Sequence, residues 1–229
     1  MIYFFADNHY QAFPGENIYN AFEPNLKRKT KFYSDQDAIN MLESGEWLQD
    51  CELLILHLIG ETCDLPHAGR GAEQAIRQWY DRGGNILLLH GSSAAFWQWE
   101  WFRKISGMRW VRPGDPDGVK PSTHPVRACR VLPCKTRHEL ITVLMPMDLS
   151  TDEIYIDLEQ VSPLTALMGV NIEEGYHLQC FEAYSKAGGK ILSFLPGHCA
   201  DAIKSPGFMH NIHILTDYLL RHKAAGGEK

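Results

Sequence analysis

Short apolar runs alternate along the first half of the chain with a segment of helical spacing. The runs 2–6, 52–57 and 85–90 are apolar almost throughout, as is typical of strands buried on both faces of a sheet. Between the last two, apolar residues at 72, 75, 76, 79 and 80 share one helix face, and Gly83-Gly84 ends that helix. This alternation predicts an α/β fold with a doubly wound, mainly parallel sheet and helices on both faces.

Further elements follow from the same reading of apolar and polar positions. Helices are predicted over 35–44, around 94–106 and over about 207–222, the last opened by Pro206. After a Pro- and Gly-rich loop at 111–124, the chain predicts short strands that we expect to extend the sheet in mixed or antiparallel fashion: 126–132, 153–158, 164–168, 178–183 and 190–195.

Composition narrows the class of protein. The chain has 229 residues with 28 acidic and 22 basic side chains, which gives a formal charge of −6. This net negative charge argues against binding to nucleic acid or to an anionic membrane. No apolar stretch is long enough for a membrane helix, and the start turns polar at Asp7, unlike a signal peptide. Six scattered cysteines without a Cys-x-x-Cys pair favour free thiols in the cytoplasm. We expect one domain over 1–229.

Four of the 11 histidines follow predicted strands. His9, His57, His90 and His198 each come at or just after a strand end, where open α/β sheets bind their ligands. The alternative is an imidazole that merely bonds a loop carbonyl, which we favour for His57 taken alone. His90 and His198 stand beside Gly91 and Gly197, which let backbone approach a ligand.

Three other groups of residues are candidates for the functional site. Ser92 and Ser93 follow the strand predicted at 85–90, but without a Gly-x-Ser-x-Gly pattern they are interpreted as helix caps. In the aromatic segment 96–102, a helix would leave Trp99 away from the packed face, free to stack on a sugar ring, although core packing is the alternative for the cluster. Asp152-Glu153, with Tyr155 beside them, form an acidic pair that is either a solvated turn or a source of one carboxylate for the cleft.

Three separated motifs together resemble the ThuA-like (trehalose utilisation) family. The first is Gly84-Asn-Ile-Leu-Leu-Leu-His90-Gly91 with Ala95-Phe96-Trp97 after it. The second is His138-Glu-Leu-Ile-Thr142 followed by Asp152-Glu153-Ile-Tyr155, and the third is Gly189-Lys190-Ile-Leu-Ser-Phe-Leu-Pro-Gly197-His198 with Pro206-x-Phe208. Glu139 replaces the family's proline and Lys190 its usual arginine, so the chain is interpreted as a divergent member.

The resemblance implies a flavodoxin-like fold, similar to class I glutamine amidotransferases, and a role in sugar utilisation. The amidotransferase cysteine is absent from the turn after the central strand, which argues against that activity. The family's recurrent polar positions correspond here to His90, Asp152, Glu153, Tyr155 and His198.

The sequence therefore leaves two functions open. The first is an enzyme acting on a sugar or keto-sugar, in which His90, His198 and Glu153 are catalytic through general acid–base chemistry. Its ligand-binding residues are expected to be Asp152, Tyr155, Trp99, His9 and His57. A divalent metal held by two histidines and a carboxylate is a variant of this hypothesis. The second is a non-catalytic sugar-binding or assembly domain. Homo-oligomerisation is left open.

Overall fold

The computed structural model describes residues 1–9, 13–59, 67–115 and 118–222. Its strands are β1 Ile2–Ala6, β2 Thr30–Ser34, β3 Leu53–His57, β4 Ile86–Leu89, β5 Met108–Arg109, β6 Val126–Pro133, β7 Met147–Glu153, β8 Glu159–Gln160, β9 Thr165–Ile172, β10 Gly175–Tyr184 and β11 Lys190–Phe194. Its α-helices are α1 Pro14–Asn20, α2 Pro24–Arg28, α3 Asp35–Ser44, α4 Arg70–Asp81 and α5 Pro206–Arg221. The α/β class is confirmed.

Nine of these strands form one mixed sheet in the order β2-β1-β3-β4-β11-β10-β9-β6-β7, and β5 pairs with β8 separately. The first five strands of that order are parallel to one another. Their carboxyl ends therefore lie at one edge, which is where parallel sheets place ligands. The predicted apolar runs coincide with β1, β3 and β4.

The other strands extend the sheet in antiparallel fashion, as expected. Each of β10, β9, β6 and β7 is antiparallel to the strand before it in the sheet order. After four reversals β7 runs in the same direction as the parallel strands, so its last residue, Glu153, lies at their carboxyl edge. The predicted strand 153–158 is thus displaced: the observed strand ends at Glu153 instead of beginning there.

Alternate side chains of the parallel strands enter two cores on opposite faces of the sheet. In β1, Ile2 and Phe4 pack in the core that also contains α5, while Tyr3 and Phe5 pack in the core that contains α3 and α4. The longer helices α3, α4 and α5 are held because each has an apolar face to bury. In α4 these residues are Ala72, Ala75, Ile76 and Trp79.

The predicted helix around 94–106 is wrong. Phe96 has a φ of 51°, which an α-helix cannot contain, and the segment consists of turns and short 3₁₀ helices. Without this helix, Trp99 is not placed on an exposed face. Its side chain is buried and stacks on Phe96 with ring centroids 4.1 Å apart, so it is not available to a sugar.

None of the helices in the described part of the chain is long and apolar enough to cross a membrane. Five cysteines, at 51, 129, 134, 180 and 199, carry free thiols, and Cys63 lies outside the described residues.

Candidate active site

Three side chains from three separate strand ends meet at the carboxyl edge of the sheet. His90 follows β4, Glu153 ends β7 and His198 follows β11. Nε2 of His90 lies 3.4 Å from Oε2 of Glu153, and Nδ1 of His198 lies 3.2 Å from Oε1 of the same carboxylate. The structure thus brings together the three residues that the sequence proposed as catalytic. We refer to His90, Glu153 and His198 as the His-Glu-His cluster.

His90 is fixed by both backbone and side chain. It has a φ of 50°, a strained conformation for residues other than glycine, and such strained residues cluster at functional sites. Its ring is fully buried, and its Nδ1 donates to the carbonyl oxygen of Leu195 at 2.8 Å. This bond directs Nε2 at Glu153.

Asp152 holds the loop that carries His198. Its carboxylate is fully buried and accepts the backbone N–H groups of Gly197 at 2.7 Å and Cys199 at 3.0 Å. Gly197 has a φ of 122°, and a Cβ there would lie 3.0 Å from the Phe208 ring, so glycine is required. Asp152, which the sequence proposed as ligand-binding, therefore positions His198, and the interpretation of the acidic pair as a solvated turn is wrong.

Glu153 is the electrostatic centre of the site. Burial raises the pKa of its carboxyl group, but hydrogen bonds with His124 and His90 and the charge of His198 outweigh this effect and lower the pKa to about 2. The group is therefore a carboxylate at neutral pH. Reciprocally, the hydrogen bond to Glu153 raises the pKa of His124, whose Nδ1 lies 2.9 Å from Oε1.

Sequence reasoning missed His124. It lies in the loop assigned to 111–124, and an isolated bridge between Thr123 and Ile156 places it beside the end of β7. A histidine directly before Pro125, in the loop that leads into a strand, is the signal that could have flagged it.

A cleft of about 230 Å³ opens in front of Glu153. Its aromatic wall consists of Trp110 and Tyr155, whose ring centroids lie 5.4 Å apart, and Tyr155 also contacts the His90 ring edge-on. The residues that line the cleft are His9, Ile59, Ala94, Trp110, Arg112, His124, Glu153 and Tyr155. Of the predicted ligand-binding residues, His9 and Tyr155 thus reach the cleft, and Trp110 supplies the aromatic surface that the sequence assigned to Trp99.

His57 does not line the cleft. Its ring is buried and faces that of His90 with centroids 6.0 Å apart. Burial, reinforced by His90, lowers the pKa of His57 to about 3, so its imidazole is neutral. His198 is less enclosed, with 27% of its side chain exposed, and burial lowers its pKa as well.

The two serines after His90 do not cap a helix. Ser92 is fully buried, and its Oγ accepts the N–H of Leu58 at 2.8 Å, so it ties the loops after β3 and β4 together. Ser93 is also buried.

Two further motif residues belong to a separate polar cluster. Lys190 is the first residue of β11, at the opposite edge of the sheet, and with His138 and Tyr218 it surrounds the fully buried carboxylate of Glu182. Because these groups satisfy one another far from the cleft, we assign them to the stability of the fold.

Comparison with known proteins places the fold. No family model and no curated protein matches the chain. Among solved structures, one described as a ThuA-like protein from Parabacteroides merdae has 13% identity and a TM-score of 0.78, covering 100% of this chain and 91% of that one. A second, described as ThuA-like from Bacteroides uniformis, has 12% identity and a TM-score of 0.70, covering 99% and 93%.

A β-galactosidase from Bacillus circulans also matches, with 9% identity and a TM-score of 0.57 over 97% of this chain and 31% of that one. At such identities the likeness concerns the fold alone. The chain has the fold of the structures described as ThuA-like, the resemblance that its three sequence motifs indicated.

Proposed function

We propose that this chain, as one ThuA-like domain over 1–229, binds and transforms a sugar or keto-sugar in the cleft in front of Glu153. The observation that carries the proposal is the convergence of His90, Glu153 and His198 from three strand ends, beside an aromatic wall. Ligand pockets typically combine such apolar surface with a few converging polar groups. We also propose that the domain has a flavodoxin-like, doubly wound arrangement and that it takes part in sugar utilisation.

The cleft offers the two kinds of contact that a sugar needs. Trp110 and Tyr155 present aromatic faces on which the apolar side of a sugar ring can pack. The ionised Glu153 accepts hydrogen bonds from hydroxyl groups, and His9 and Arg112 add polar contacts at the rim.

Acid–base chemistry is supplied by the imidazoles around that carboxylate. His124 contacts Glu153 from within the cleft and His198 contacts it from the side, so either can exchange a proton with a bound hydroxyl or carbonyl group. His90 lies behind the carboxylate and holds it in place. The absence of a nucleophilic cysteine at the turn after β4 directs the proposal away from amidotransfer.

Incubation of the purified protein with trehalose, other disaccharides and their keto forms, followed by NMR of the sugar signals, tests the proposal. We expect one of these sugars to bind, with Trp110→Ala weakening the binding at least tenfold. The control Trp101→Ala removes a tryptophan that bonds Glu73 outside the cleft, and it should bind like the wild type.

If the wild-type protein converts a sugar and the His198→Ala variant does not, the protein is an enzyme. Binding without conversion would favour the non-catalytic sugar-binding domain. If no sugar in the panel binds, the proposed function is wrong.

A further inference from the structure

We propose that the His-Glu-His cluster binds one divalent transition-metal ion. The ligands would be Nε2 of His90, a carboxylate oxygen of Glu153 and Nδ1 of His198. The inference concerns the same site as the proposed function, but it does not depend on the identity of the sugar and is tested without one.

The donor atoms are spaced for a shared ion. One ligand atom from each of His90, Glu153 and His198 lies within 4.8 Å of the other two. Nε2 of His90 lies 3.4 Å from Oε2 of Glu153, and Nδ1 of His198 lies 3.2 Å from Oε1 of the same carboxylate. Donors about 2.1 Å from a common ion lie about 3.0 Å apart at right angles and about 4.2 Å apart when opposite. Both nitrogen–oxygen contacts fall inside this interval, one to each oxygen of the carboxylate.

The outer hydrogen bond of His90 is the one that a metal ligand makes. A carbonyl oxygen can only accept, so Nδ1 of His90 carries a proton and donates it to Leu195. Nε2 is then the ring nitrogen that faces Glu153, 3.4 Å from Oε2. Metal-binding histidines usually have the same arrangement, in which the outer ring N–H donates to a carbonyl or a carboxylate.

Both imidazoles of the cluster are held in position by the surrounding structure. The strained turn at His90 and the buried carboxylate of Asp152, which holds the backbone on both sides of His198, fix the two imidazoles before any ion arrives. Such fixed ligands, braced by hydrogen bonds, distinguish a metal site from a chance group of polar side chains.

The donor set selects the class of ion. Two imidazole nitrogens and one carboxylate oxygen suit Zn²⁺, Mn²⁺, Fe²⁺, Co²⁺ or Ni²⁺, whereas Mg²⁺ and Ca²⁺ prefer sites made of oxygen alone. Three protein ligands leave coordination positions open, and the cleft that Glu153 lines lies beside them. With the ion bound, His90 and His198 no longer exchange protons, and His124 is the imidazole of the cleft that still can.

Titration of chelator-treated, metal-free protein with Co²⁺ and Zn²⁺ tests this proposal. Calorimetry should give one site per chain, and the visible absorption of Co²⁺ should show nitrogen and oxygen ligation. His198→Ala and Glu153→Gln should each weaken binding by at least 100-fold, more than the 10- to 100-fold typical of a lost outer contact. Zn²⁺ should also raise the melting temperature of the wild type but not that of His198→Ala.

The matched control is His210→Ala, since His210 lies on α5 in a different groove together with His213. Its affinity should equal that of the wild type. Absence of binding, equal binding by a folded His198→Ala, or loss of binding in His210→Ala would overturn the proposal. Sugar binding measured on the same metal-free protein separates failure of the metal site from failure of the proposed function.

Discussion

Replacing Asp152 by asparagine tests how His198 is positioned. The substitution preserves the shape of a fully buried side chain but turns one of its two acceptors into a donor. One of the backbone N–H groups of Gly197 and Cys199, now held at 2.7 and 3.0 Å, must then lose its partner. A hydrogen bond to a charged group contributes about 1.5–3 kcal/mol, and an unsatisfied buried N–H costs about 1–3 kcal/mol. Allowing for relaxation of the loop, we expect the free energy of unfolding to fall by about 2–4 kcal/mol.

Urea denaturation measures this change as a lower midpoint with an unaltered slope. A matched control lies on the same strand: Asp148 is 77% exposed and its ion pair with Arg130 is solvated, so Asp148→Asn should change stability by less than about 0.5 kcal/mol. Asp152→Asn should also weaken Zn²⁺ binding by about 10- to 100-fold. If Asp152→Asn is as stable as Asp148→Asn, the Asp152 carboxylate does not hold the His198 loop.

Three further predictions distinguish residues that stabilise the fold from residues that form the site. Because burial lowers the pKa of His57 to about 3 while the unfolded chain protonates it near its ordinary value, unfolding free energy should fall from about pH 6.5 toward pH 3. Chelator-treated His57→Asn should lose part of that slope in denaturation curves taken across this range. Trp99→Ala should lower the free energy of unfolding by about 3–5 kcal/mol, because Trp99 is buried in the core. Trp97 is half-buried between two arginines, so Trp97→Ala should lower it by less than half as much. Equal decreases in urea denaturation would contradict the core position of Trp99. Glu182→Gln should lower stability by about 3–5 kcal/mol yet leave Zn²⁺ affinity unchanged, and a calorimetric loss of affinity would show that the two polar clusters are coupled.

The sequence predicted best those elements whose signals are local. Helix α3 spans Asp35–Ser44 as expected, because Ser34 and two acidic residues mark its start and Gly45, with a φ of 65°, marks its end. The buried strands β1, β3 and β4 followed from uninterrupted apolar runs. Once those strands were parallel, the placement of His90 and His198 at one edge followed from the direction of the chain.

Long-range contacts were the part that local patterns could not predict. A left-handed Phe96 turns the aromatic segment inward, and nothing in an aromatic run indicates that backbone conformation. The separate roles of Asp152 and Glu153 depend on four antiparallel pairings that bring β7 round to the parallel strands. His124 reaches the site because its neighbour Thr123 forms an isolated bridge with Ile156, and such a pairing has no periodic signature.

Anomalous diffraction from crystals loaded with Zn²⁺ tests most directly whether His90, Glu153 and His198 form one functional centre. We predict a single strong peak about 2.0–2.2 Å from Nε2 of His90, from a carboxylate oxygen of Glu153 and from Nδ1 of His198. A peak beside His210 and His213 instead, or none in the cluster of a fully loaded crystal, would contradict it.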